Sequence, residues 1–374
     1  MASAGANDRH GSIWEEKAMQ KRVLSTRAGV ARGMQAALFA ALTLAAVGLS
    51  TASAQQPKDI RWGTGPVGSV GHKALVVLAD FLNKEMPQYR ITVLPMPGAV
   101  MTVKGFATEQ IDAFYGSDDA LREFAADIGR FKGFKANVKR PPVQSLWLYT
   151  IDVGLAIKAS NADKIKKWGD LTGKKVFTGP LPFDTRLRLE TAMAAAGVKH
   201  VYTQVDLSNA GSALNAGTIE AMIVYYGGGV VPAPWLSEAS LAVDWAGLNP
   251  SPDELAALKA KGIALTQTDA SKLSKNDIHV QKLTLSPMYW GFDIGMNMPA
   301  DDVYKILTLI DKNADHLAKL DGDFEQIAQG RLAEFQMKAL EQTWDLVPIH
   351  PGLAKYLKEK GKWNSKWDSK VAAM

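Results

Sequence analysis

The stretch Asp59-Ile60-Arg61-Trp62-Gly63-Thr64-Gly65-Pro66-Val67-Gly68-Ser69, continuing into Val70 to Leu82, decides the fold class. Asp59 to Trp62 reads as a short strand and Gly63 to Ser69 as a turn-forming loop. Leu75, Leu78, Ala79 and Leu82 then recur at helical spacing. Tyr89 to Leu94 supplies a second strand. Strand, glycine-rich turn, helix and strand make a βαβ unit, whose turn offers the free N–H groups and positive dipole end of a helix to an anion. Gly63, Gly65 and Gly68 also satisfy the dinucleotide spacing G-x-G-x-x-G. That reading fails at the second strand, which ends in Pro95-Met96-Pro97-Gly98 with no acid to hold a ribose.

The same grammar returns downstream. Lys174 to Thr178 reads as a strand and Gly179-Pro180-Leu181-Pro182-Phe183 as a loop. Asp184 is the expected N-cap of a helix to Ala196, with Gly197 just past its end. Further on, Gln110-Ile111-Asp112-Ala113-Phe114-Tyr115-Gly116 is echoed by Thr218-Ile219-Glu220-Ala221-Met222-Ile223-Val224-Tyr225. The two loops and the two strand phrases stand at nearly one offset. They predict two α/β lobes built alike, each offering loops at the carboxyl ends of its strands, with a ligand between them.

With 374 residues, 47% hydrophobic and 22% charged, the chain can bury a large core, so global disorder is excluded. The absence of cysteine excludes disulfides, thiol nucleophiles and cysteine zinc sites. Lys21, Arg22, Arg27 and Arg32 precede an apolar run from Ala36 to Leu49, and Ala52-Ser53-Ala54 follows with the small-x-small pattern of a signal-peptidase site. Residues 1–54 are therefore expected to be a cleavable signal peptide, cut after Ala54 and placing the protein in the periplasm; the start codon is Met1 or Met19. Those residues hold six of the 43 cations and three of the 38 anions, which leaves 37 against 35, a net charge of +2. So balanced a chain gives no support to a nucleic-acid partner.

No catalytic kit is legible. His72, His200, His279, His316 and His350 are widely spaced, with no H-x-H and no H-E-x-x-H, and G-x-S-x-G is absent. Asp118 and Asp119 are adjacent, and read as loop or capping carboxylates rather than an acid–base pair. Binding without metal, cofactor or turnover is the simpler class. An enzyme on the same architecture stays open as an alternative.

Read in order, these phrases resemble the TAXI family, the extracytoplasmic solute-binding subunits of tripartite ATP-independent periplasmic (TRAP) transporters. The resemblance is carried by Trp62 to Gly71, Pro95 to Val100, Ile111 to Asp118, Leu171 to Val176, Gly179-Pro180 with Thr185-Arg186, Ala213 to Ala221, Gly227-Gly228, and Pro348 to Gly361. It implies a two-lobed periplasmic-binding-protein fold, type II-like, with lobe one in residues 55–148, lobe two in 149–285, and a return with C-terminal helices in 286–374. It also implies hinge closure over a small organic solute, an organic anion such as a carboxylate, and delivery to TRAP membrane permease subunits. The receptor of an ATP-driven importer and a ligand-sensing module remain alternatives.

By the same resemblance the ligand contacts are Thr64, Gly65, Pro66 and Val67 of the first loop, with Ala99, Ser117 and Asp118 from the first lobe. Thr178, Gly179, Thr185, Arg186, Tyr225 and Gly227 are those from the second. Arg186 and Arg188 sit where a cation opposes a helix dipole, which suggests that one of them meets an anion; Arg186 matches the family position. Met96-Pro97-Gly98-Ala99 and Phe183-Asp184 replace more hydroxylic family phrases, so the site is expected to be apolar. His350 reads as a structural residue at a helix start, and Trp290 as a candidate pocket wall.

Overall fold

The computed structural model describes residues 56–373; the signal peptide and cleavage point expected from the sequence lie outside them. The chain opens β1 (Lys58–Thr64), α1 (Val70–Glu85), β2 (Tyr89–Pro95), α2 (Ala99–Ala107), β3 (Ala113–Ser117) and α3 (Asp118–Ala126). A long strand, β4 (Trp147–Lys158), leads to β5 (Lys175–Phe177), α4 (Asp184–Ala195), β6 (Val201–Tyr202), α5 (Ala210–Ala216) and β7 (Ala221–Gly227). Next come β8 (Val231–Pro232), α6 (Pro234–Ala242), β9 (Trp245–Leu248), α7 (Pro252–Ala260), β10 (Thr266–Asp269) and α8 (Ala270–Leu273). The long β11 (Lys282–Ile294) returns to the first half, and α9 (Ala300–Leu320), α10 (Leu332–Thr343) and α11 (Pro351–Glu359) close the fold.

Both βαβ units form as the spacing predicts. β1 pairs in parallel with β2 and β3, and β5 in parallel with β6 and β7. Between these parallel sets run β4 and β11, antiparallel to each other over Tyr149↔Trp290 to Val153↔Ser286. One end of β11 pairs with β3 and the far part of β4 pairs with β7. All strands thus lie on one hydrogen-bonded path, β2-β1-β3-β11-β4-β7-β5-β6, with β8, β9 and β10 attached to its members. The halves are not separate sheets, because the connecting segments are themselves long strands and the ladder continues through the seam. The architecture is mixed α/β, two βαβ-built halves joined through one continuous sheet.

Buried aromatics fill both halves, including Trp62, Phe106 and Phe114 in the first and Trp168, Phe177 and Tyr226 in the second. At about 1.5–3 kcal/mol for each large apolar side chain removed from water, these layers dominate the stability. Where β4 starts, side chains from the C-terminal segment take the place of a further strand. Gln336, fully buried, accepts the Trp147 N–H at 3.0 Å and donates to the Trp147 carbonyl. Gln326 accepts the Thr150 N–H at 2.7 Å. His350 caps α11, its Nδ1 accepting the Gly352 N–H at 3.1 Å, and burial pushes it down to about 4, so it stays neutral and structural as expected.

Asp184 is not the N-cap of α4. That position is Phe183, which has no capping side chain, while Asp184 stands in the first turn with its carboxylate engaged elsewhere.

Candidate functional site

A small cavity, partly open to solvent, lies at the seam between the halves. Its first-half wall is built by the β1–α1 loop (Gly65, Pro66, Ser69), the starts of α1 and α2, and Tyr115 of β3. Its second-half wall is the start of α4 (Phe183, Asp184, Thr185) and Tyr225 of β7. Ile151 of β4 and Trp290 of β11 form the back, on the two strands that join the halves.

Glycine is required at this wall for space. A Cβ on Gly71 would lie 2.4 Å from the Tyr115 ring, and one on Gly65 would lie 2.6 Å from the Ser69 hydroxyl. Tyr115 stacks on Trp290 with ring centroids 4.4 Å apart and planes 23° apart, and on Phe292 at 4.9 Å. Burial pushes the Tyr115 and Tyr149 hydroxyls well up; they bond each other at 3.1 Å beneath the cavity and stay neutral.

Beside the cavity the halves are tied by charge. On the first-half side, Ser117 caps α3 by accepting the Ala120 N–H at 2.9 Å, and Asp118 and Asp119 follow in the first turn, where acids complement the dipole. Arg188, on α4, donates to Asp118 at 2.7 Å and to Asp119 at 3.0 and 3.1 Å. In the other direction Arg130, held by Glu123 at 2.6 Å, reaches Asp184 on α4. The Ser117 hydroxyl donates to the second Asp184 oxygen at 2.5 Å. The three side chains at the Arg188 pair are only 8–16% exposed, so solvent screens them little. Burial, and then the neighbouring Asp118 charge, push the Asp119 carboxyl up, against the pull of Arg188.

Of the residues named from the sequence, Gly65, Pro66, Ala99, Thr185 and Tyr225 come together on the cavity wall. The others are placed around it. Thr64 is fully buried at the end of β1 with its hydroxyl unpartnered. Val67 is 74% exposed on the outer lip. Ser117 and Asp118 serve the interlobe network. Thr178 donates to Glu190 at 2.8 Å, and Gly179 takes a left-handed φ of 115° under the Tyr202 hydroxyl. Gly227 packs on the Asp323 carboxylate, which a Cβ would approach to 2.1 Å. Arg186 lies 4.1 Å over the Tyr202 ring and pairs with Glu190 at 3.0 Å. The arginine that meets buried anions is Arg188, and they are the protein's own.

Tyr115 was missed as a wall residue although a signal existed. It ends the phrase that Tyr225 ends in the second half, and the two tyrosines face one cavity from opposite sides. Ile151 carries no such signal, since it is one apolar residue in an apolar strand.

Fold and cavity together define the class, an α/β architecture of two halves with a cavity at their seam. The chain belongs to the NMT1-like family, whose model matches residues 62–361. No curated protein matches the sequence. Similar solved structures include the periplasmic aliphatic sulphonate binding protein SsuA from Escherichia coli, at 16% identity and a TM-score of 0.42, with 84% of each chain covered. Another is the probable amino-acid ABC transporter extracellular-binding protein ytmK from Bacillus subtilis, at 16% identity and a TM-score of 0.43, covering 71% of this chain and 99% of that one. A third is a putative L-cystine ABC transporter from Listeria monocytogenes, at 15% identity and a TM-score of 0.42, covering 71% and 95%.

Proposed function

We propose that the protein is a periplasmic solute-binding receptor, which captures a small organic solute by closing its halves and hands it to a membrane transporter. The observation that carries this reading is the position of the cavity, walled from both halves and backed by the two strands that join them. A ligand there bridges the halves, so its binding energy favours the closed form, and a permease can recognise that form. Gly65, Pro66, Ala99, Thr185 and Tyr225 are the proposed contacts retained from the sequence; the lobe boundaries are proposed within β4 and β11. The described residues include no group of three metal-type side chains arranged around an ion. In this reading the protein performs no turnover.

The matched family model is described as NMT1-like, which does not reach the narrower TAXI resemblance. The narrower resemblance therefore does not decide the partner, and an ATP-driven importer stands ahead of the ion-driven TRAP permease. Uptake that survives loss of the ion gradient but not of ATP supports the first partner, and the reverse the second. The receptor reading itself is tested by thermal unfolding of the purified protein against a panel of organic solutes. A saturable rise in unfolding temperature, with the solute recovered unchanged, is expected; chemical conversion of a bound solute refutes it.

A further inference from the structure

We infer that the interlobe cavity takes a flat-ringed organic monoanion, its oxyanion held by uncharged donors alone. The inference rests on the receptor reading and adds the ligand's chemistry. Among the described residues, no lysine, arginine or histidine lines the cavity. The nearest guanidinium groups, those of Arg130, Arg186 and Arg188, are all paired with protein carboxylates. Yet three helices of 16, 9 and 12 residues, α1, α2 and α4, start on its wall. In their first turns the N–H groups of Val70, Gly71, Ala99, Val100, Asp184 and Thr185 meet no acceptor among the described residues. Their dipoles place partial positive charge on the cavity from both halves.

Two side chains on the same wall add an independent observation. Thr185 is 3% exposed and Trp290 5% exposed, and neither the Thr185 hydroxyl nor the Trp290 indole N–H has a partner. Buried donors left unpaired are costly, and a ligand oxyanion would satisfy both. The ring follows from the remaining wall: Phe183, Tyr225 and the stacked Tyr115–Trp290 pair offer flat apolar faces. A second ligand charge has no counter-charge here. The carboxylate on the wall, Asp184, is already charge-paired with Arg130 and hydrogen-bonded by Ser117, so it offers no uncompensated charge to an ammonium group. Dicarboxylates and α-amino acids are therefore disfavoured.

Calorimetric titration of the full chain with benzoate, benzenesulfonate, benzamide, terephthalate and glutamate tests this. Saturable binding of benzoate or benzenesulfonate is expected, with the tighter of the two identifying the oxyanion. Benzamide, terephthalate and glutamate should each bind at least tenfold more weakly. Thr185→Val keeps shape while removing one donor, and should weaken the oxyanion ligand five- to thirtyfold with unfolding temperature unchanged; Trp290→Phe removes the indole N–H together with part of a buried, stacked ring, and should weaken the ligand at least as much while lowering the unfolding temperature. Preference for glutamate or terephthalate overturns the ligand class and leaves the receptor standing. Tight benzoate binding that ignores both variants overturns the assigned donors. Absence of binding by the whole panel overturns the inference; a wider thermal screen that also finds no solute overturns the receptor reading with it.

Discussion

Replacing Arg188 with Met is expected to release the closed arrangement of the halves. Arg188 makes three charge-assisted hydrogen bonds from α4 to Asp118 and Asp119 on α3, all at 2.7–3.1 Å and all shielded from solvent. Methionine keeps the aliphatic stem and its packing but strands two adjacent carboxylates. Breaking one side of a buried pair costs about 3–5 kcal/mol. If the halves separate, the stranded carboxylates regain water, so that cost falls on the closed form alone. At about 1.4 kcal/mol per decade, the closed-to-open ratio should fall by roughly two to three orders of magnitude. Small-angle X-ray scattering of the ligand-free protein should show an increased radius of gyration, and ligand association measured by stopped-flow tryptophan fluorescence should be faster. Arg130→Met, which frees Asp184, should act in the same direction, and the pair should be less than additive if they hold one latch. Ligand-free scattering and association rates identical to wild type in both variants would refute the latch.

Three more outcomes follow from single sites. Stability should fall as pH rises from 6.5 to 8: burial raises Asp293 to about 7, and also raises Asp119 and Asp323. A carboxyl raised above its unfolded value gives stability that is complete below the unfolded pKa and lost as pH climbs through the folded one. Each such group gives up about 1 kcal/mol over that window, together on the order of 5 °C in unfolding temperature, and a flat profile by calorimetry would contradict the assignment. Arg186→Ala should leave ligand affinity within about threefold, since its guanidinium is already engaged by Glu190 and Tyr202; a hundredfold loss by calorimetry would restore the contact read from the sequence. Gly71→Ala should abolish binding and lower the unfolding temperature, because its methyl group would meet the Tyr115 ring at 2.4 Å; a variant that binds normally would show that this wall moves freely.

Much of this molecule is legible in its sequence because its signals are local. Two loops punctuated by glycine and proline, each between a strand and a helix, announce the two βαβ units, and both form within a residue or two of the expected positions. The cavity wall is legible where the loops make it, at Gly65, Pro66, Ala99 and Thr185. What is not legible depends on residues far apart in the chain. Arg188 meets Asp118 across 70 residues, and Arg130 meets Asp184 across 54. Nothing in either segment alone says that the other will be there. Of the two cations at the start of α4, Arg188 finds its acids only across the seam, whereas Arg186 has Glu190 one turn on in its own helix and Tyr202 beneath it.

The commitment of these arginines to the protein's own acids bears on how closure and binding share one equilibrium. A ligand shifts the halves only by its difference in affinity for the closed and open forms, however tightly it binds either. With the arginines committed to Asp118, Asp119 and Asp184, the charge pairs favour closure without the ligand, and the ligand's share comes from donors that have no other partner, Thr185, Trp290 and the three helix starts. The two sets occupy the same seam but different atoms. Weakening the pairs should therefore change how often the cavity opens and how fast ligand enters. Removing the neutral donors should change affinity and leave ligand-free opening alone. Measuring scattering and titration on Arg188→Met and Thr185→Val side by side separates the two: if Thr185→Val also expands the ligand-free protein, or Arg188→Met alters ligand affinity beyond what its shifted closed population accounts for, closure and recognition are not divided in this way.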